Sequence, residues 1–141
     1  MNENEEKKRY LQQYREAKKK VKRISEQIAE LRSNKMFPAA VVRDGMPSGH
    51  GCSDLSAYAA RLDELIRQLG EEREQAVKQY AEIHAQILKI QDDTERELLI
   101  RRYLMGETWE KIAVAMDYDY RYVLKIHGRA LKNFQIFERG H

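Results

Sequence analysis

Arg121 and Lys125 stand four residues apart in the stretch YRYVLKIHGRAL, residues 120–131, with Tyr120 and Tyr122 beside them. On a helix, positions three or four apart are neighbours on one face. Arg and Lys side chains there can donate to guanine O6 and N7. A tyrosine ring can pack on a thymine methyl or reach a phosphate. Arg129 and Lys132 extend the basic face. Val123, Ile126, Ala130, Leu131 and Phe134 supply an opposite, apolar face. Asp119 precedes the helix as its N-cap, so its charge belongs to the helix terminus rather than to the polar face.

Other chemistry-bearing residues make weaker groupings. His50 and Cys52 flank one glycine, but two ligands are short of a four-ligand zinc site, and no second Cys/His pair has the spacing. Glu71, Glu72 and Glu74 read as a solvated charged turn. His84 falls beside an apolar stripe and reads as a partly covered packing residue. The run KKKVKR, Lys18 to Arg23, reads as a solvated helix face, with phosphate or an acidic partner as the other use. The glycines near residue 50 have no following Lys-Ser/Thr as in a phosphate-binding P-loop. No nucleophile–base set is present. The expectation is therefore no catalytic residue, no metal, no cofactor and no enzymatic activity.

The elements around the basic helix follow from capping signals. Thr94-Glu95-Arg96-Glu97 reads as a capping box, opening a helix with Leu98, Leu99, Tyr103 and Leu104 that Gly106 ends. Thr108 caps the next helix, whose inner face is Trp109, Ile112, Ala113 and Met116. The link Asp117-Tyr118 leads to Asp119 and a final helix from Tyr120 to about Phe134. A short capped helix, a tight turn and a longer helix with a polar outer face make a helix-turn-helix.

Upstream, Leu11, Tyr14, Ala17, Val21, Ile24, Ile28 and Leu31 form one stripe along a helix from about Glu3 to Ser33. Residues 34–54 contain two Pro and three Gly and read as a loop, with Ser53 or Asp54 capping the next helix. That helix starts near Leu55. Leu62, Ile66, Leu69, Arg73, Ala76, Tyr80, Ile83, Ile87 and Ile90 alternate gaps of 4 and 3. Gly70–Glu72 is its weak point, where a kink or break is open. The two stripes pair as a hairpin within one chain or between chains.

The chain has 141 residues, 42% apolar and 35% charged, with a net charge of +3. This suits long amphipathic helices. Residues 1–35 carry 11 Lys/Arg against 6 Asp/Glu, and residues 119–141 carry 5 against 2, so positive charge gathers at the N-terminal arm and the last helix. No apolar run has the length of a membrane span. MNENEEKKRY has no apolar stretch behind it and is not read as a signal peptide. The single Cys52 fits a reducing cytoplasm.

RRYLMGETWEKIAVAMDYDYRYVLKIHGRAL resembles region 4 of bacterial sigma factors. The match is carried by Arg102, Tyr103, Gly106, Ile112, Ala113, Val123, Ile126, Arg129, Ala130 and Leu131. The family often has Gly in the turn where Asp117 stands and Ser or Thr where Asp119 stands. MPSGHGCSD, residues 46–54, resembles the Gly-rich loop of phage transcriptional regulators of the RinA/ArpU late-activator type, which place a helical region before a sigma-like module.

The expectation is an all-α protein, with a long helical hairpin or coiled coil over 1–91 and a helix-turn-helix module over 92–141. The resemblance implies a sequence-specific double-stranded DNA-binding regulator of phage or prophage transcription in the bacterial cytoplasm. Action at promoters with host RNA polymerase is the expected mechanism, and dimerisation through the long helices is expected because one module offers few phosphate contacts. Tyr120, Arg121, Tyr122, Lys125, Arg129 and Lys132 are the DNA-binding residues. A small terminase-like packaging protein and a helical interaction protein without DNA contact are the alternatives.

Overall fold

The computed structural model describes residues 2–33 and 49–137, with side chains from Asp54 onward in the second stretch. The described residues are helical and contain no strand. In chain order the elements are α1 (Glu3–Leu11), α2 (Gln13–Ser33), α3 (Gly49–Ile87), α4 (Asp93–Leu99), a π-helical turn (Ile100–Leu104), α5 (Trp109–Met116) and α6 (Tyr120–Asn133). No helix among them is long and apolar enough to cross a membrane.

The expected first helix is bent rather than straight. Gln12 separates α1 from α2, yet its N–H donates to Lys8 and its carbonyl accepts from Glu16, so the hydrogen-bond ladder runs through. Asn2 caps the start by accepting from the Asn4 amide. The full stripe from Leu11 to Leu31 is buried or half-buried.

The third segment corrects one expectation and decides a point the spacing left open. α3 begins at Gly49, ahead of Leu55, so Ser53 and Asp54 lie inside the helix and do not cap it. Extending a formed helix adds one hydrogen bond per residue fixed, which offsets the cost of about 1 kcal/mol for a helical glycine. α3 also continues through Gly70 to Ile87 without a break. The loop expected over 34–54 otherwise lies outside the described residues up to 48.

The buried register of α3 differs from the sequence reading. Leu62, Leu69, Ala76, Ile83, Ile87 and Ile90 are covered as expected. Between them, Leu65 is 2% exposed while its neighbour Ile66 is 45% exposed. Glu72 and Gln79 are half-buried where Arg73 and Tyr80 had been expected. Consecutive helical residues differ by about 100°, so a stripe can continue at +3 or +4. Leu65 and Ile66 are both apolar, and spacing alone does not separate them.

The chain forms two compact units, Met1–Ala17 with Ala76–His141, and Lys18–Gln75. The division at 91/92 read from the sequence is one of residue character; these packing units run across it. In Lys18–Gln75, Arg23 and Gln27 share a surface recess with Arg61 and Leu65, and Leu31 shares another with Asp54 and Tyr58. The two helices there run antiparallel, with Ile28 and Leu65 buried. The other unit holds the main core. Leu11, Ile83, Ile87 and Ile90 join Leu98, Leu99, Tyr103, Leu104, Ile112, Val123, Ile126, Leu131 and Phe134. Tyr14 meets Tyr80 edge-on at 5.2 Å, and His84 stacks on Tyr80 at 5.6 Å, a packing role for that histidine.

Candidate nucleic-acid interface

The capping of α4 departs from expectation. Asp92, not Thr94, is the N-cap and accepts from the Glu95 amide at 3.0 Å. Glu97 does not reach back but pairs with Arg101 at 2.9 Å. A carboxylate is a better cap than a threonine hydroxyl, and Asp92 stands two residues earlier. Glu95 instead turns into the unit, where it accepts from Asn133 at 2.8 Å and faces Arg129 at 3.7 Å.

After Leu99 the helix widens into the π turn. Met105 donates to the Ile100 carbonyl at 2.8 Å, and Gly106 ends the element at φ +72°, a conformation that glycine adopts without a Cβ penalty. The sequence carries no signal for that widening.

Thr108 caps α5 as expected, accepting from Lys111 at 3.1 Å. Ile112 and Ala113 are buried, and Trp109 and Met116 are half-buried. The turn is a Schellman motif: Tyr118 donates to the Ala113 carbonyl and Asp117 to that of Val114. Asp117 occupies the left-handed position at φ 61° where the resembling family often has glycine. Asp119 then caps α6 by accepting from the Arg121 amide at 3.1 Å.

α6 presents the expected polar face. Tyr120, Arg121, Tyr122, Lys125, Arg129 and Lys132 are all exposed, while Val123, Ile126, Ala130, Leu131 and Phe134 are buried. Arg121, Lys125, Gly128 and Lys132 follow spacings of 4, 3 and 4, which align them along one line of the helix opposite the core. Tyr122 and Arg129 flank that line. The Tyr122 ring meets Tyr118 edge-on at 5.1 Å, which links the helix face to the turn. Arg129 faces the Glu95 carboxylate at 3.7 Å, so part of its charge serves the fold.

Sequence reasoning missed what holds α6 from behind. His127 is buried, bonded to the Tyr103 hydroxyl through Nε2 at 2.8 Å and set against Trp109 at 4.6 Å. Arg102 lies over the other part of this cluster, 4.3 Å from the Trp109 ring, and donates to the Glu107 carbonyl at 3.0 Å. Burial, with the Lys8 and Arg102 charges adding to it, pushes His127 down to about 4. Burial pushes Tyr103 up to about 12. The pair is therefore neutral at ordinary pH. The helical spacing of His127 among Val123, Ala130 and Leu131 was the available signal, since His127 falls on the apolar side.

The far end of α6 is anchored too. Lys7 of α1 is buried and donates to the Leu131 and Lys132 carbonyls, and Gln86 of α3 donates to the Gln135 carbonyl at 2.8 Å. Among the described residues, no group of three or more His, Cys, Asp or Glu could hold a metal ion. His50 and Cys52 have no described side chains. Comparison with family models, with curated proteins and with solved structures finds no match.

Proposed function

We propose that this chain binds double-stranded DNA in a sequence-specific manner and regulates transcription, with α6 in the major groove. The observation that supports this reading is the basic and aromatic outer face of α6, held at the end of a capped helix, a Schellman turn and a second capped helix. Arg121 and Lys125 read base edges in this proposal, Tyr120 and Tyr122 add apolar or phosphate contacts, and Lys132 and the free part of Arg129 meet the backbone. The resemblance to sigma region 4 and to RinA/ArpU-type regulators adds the phage or prophage setting in a bacterial cytoplasm, promoter action and contact with host RNA polymerase. Dimerisation through the long helices would place two such modules on one operator and raise affinity through effective concentration.

The test is selection of bound fragments from random duplex, followed by binding with Arg121→Ala. That variant should cost about 1–3 kcal/mol on the selected site and little on random duplex. Lys132→Ala should weaken both nearly equally. Equal loss on both duplexes for Arg121→Ala would remove its base-reading role, and no selection at all would remove the DNA reading.

A further inference from the structure

The outer face of α6 carries one residue to which the proposed function gives no role. Leu124 is 41% exposed, although its neighbours Val123 and Ile126 belong to the core. A helix turns about 100° per residue, so Leu124 lies about 60° around the axis from Arg121, between it and Tyr120. His127, three residues on, marks the inner limit of this side. It is buried, bonded to Tyr103 at 2.8 Å and packed on Trp109 at 4.6 Å. Leu124 stands just outside that contact. Gly128, four residues on, leaves open backbone next to it, with nothing within 4 Å of a Cβ built there. Leu124 and Gly128 therefore form an apolar step beside the exposed cations Arg121, Lys125 and Lys132.

A single exposed leucine needs no explanation on an ordinary surface. On a face that meets duplex DNA it has a consequence. The side chain has no donor and no acceptor, and any base edge that it covers loses water. The major-groove edges of adenine, guanine and cytosine present ring nitrogens, amino groups and a carbonyl. Covering one of these without pairing it costs free energy. Thymine alone adds a methyl group to its edge. Leu124 thus gains from a thymine and loses from the other three bases. Arg121 and Lys125 act in the other sense, since their donors favour guanine O6 and N7. One helix face therefore holds two base preferences side by side.

We infer that Leu124 is a specificity-determining residue, which packs on the C5-methyl of a thymine next to the base met by Arg121. The inference rests on the DNA-binding reading of α6 and adds to it a base preference at one position of the site.

The experiment uses the full chain, with fluorescence anisotropy on a duplex that the chain has selected from random sequence. Each thymine of the site is replaced in turn by deoxyuridine, which removes the methyl and keeps the O4 acceptor and the base pair. At one thymine the wild type should lose about fourfold in affinity, the effect of one buried methyl. Leu124→Ala should bind the unmodified duplex severalfold more weakly and should not distinguish thymine from deoxyuridine at that position. The comparison is a ratio of two duplexes within each protein, so any change in folded fraction cancels. A wild type with no methyl-sensitive thymine, or a Leu124→Ala that keeps the same sensitivity, would overturn the inference and leave the DNA reading in place. A wild type that selects no duplex ends the DNA reading, and the role of Leu124 with it.

Discussion

The ammonium of Lys7 donates to the Leu131 carbonyl at 2.8 Å and to the Lys132 carbonyl at 3.3 Å. A lysine from the first helix thereby serves the last turn of α6, where helix carbonyls lack partners inside the helix and the dipole is negative. The side chain is buried over most of its length, and Glu3 approaches its charge at 3.8 Å. Lys7→Met keeps the apolar stem and removes the donor. It should destabilise the protein by about 1–3 kcal/mol, the cost of leaving buried polar groups unpaired. Urea denaturation measures it, and hydrogen exchange should quicken first in the amides at the end of α6. An unchanged midpoint would show that water replaces the ammonium at no cost.

His127 sets a pH dependence. Its pKa falls from an ordinary 6.5 to about 4 in the folded chain. Between those values the unfolded chain binds the proton and the folded chain does not. The contribution of neutral His127 is therefore complete above pH about 6.5 and is lost as pH falls toward about 4. Integrated over the shift it amounts to roughly 3 kcal/mol. His127→Gln should flatten the stability curve over that window, leaving the acid unfolding of carboxylates below it. Parallel curves for wild type and variant would mean that His127 charges in place.

The helix-turn-helix was legible because its signals are local. Thr108, Gly106 and Asp119 act within a few residues of their own positions, and capping chemistry fixes the ends they mark. The inner and outer faces of α6 followed from 3.6-residue spacing, although His127 was not placed on the inner one. Where two local solutions compete, sequence alone was a poor guide. Asp92 and Thr94 both offer caps, and Leu65 and Ile66 both offer an apolar stripe; the stronger carboxylate cap won at Asp92, and Leu65 is the one buried. Lys7 and Gln86 were invisible as members of the α6 surroundings. Their roles depend on a long-range return of the chain, and no spacing rule records it.

The turn and the middle of α6 each carry a residue that is poor for its backbone. Asp117 sits at φ 61°, where glycine has no Cβ penalty. Gly128 sits inside a helix, exposed, with nothing within 4 Å of an added Cβ. Asp117→Gly and Gly128→Ala should each raise stability, the second by about 1 kcal/mol. Thermal melting checks both. If α6 lies in a groove, Gly128→Ala should also weaken DNA binding despite its added stability, because Gly128 is on the line of Arg121, Lys125 and Lys132. Stability gained with affinity unchanged would place the duplex on another face.

A fragment of residues 92–141 tests how far the C-terminal helices depend on the helices before them. It would retain α4, the π turn, α5 and α6, but lose Leu11, Ile83, Ile87 and Ile90, all buried in the common core. Each such side chain contributes about 1.5–3 kcal/mol through burial. Their combined loss is comparable with the whole stability of a small domain, about 5–15 kcal/mol. The fragment would also lack Lys7 and Gln86 at the end of α6. It should therefore show reduced helicity per residue and no cooperative thermal transition. Ile83→Asp in the full chain should disrupt the same unit, because that side chain is fully buried against it. Circular dichroism with amide NMR dispersion would decide the matter. A fragment that melts cooperatively with full helicity would mean that the core closes without the N-terminal helices. Any difference in DNA affinity between such a folded fragment and the full chain would then measure what those helices add.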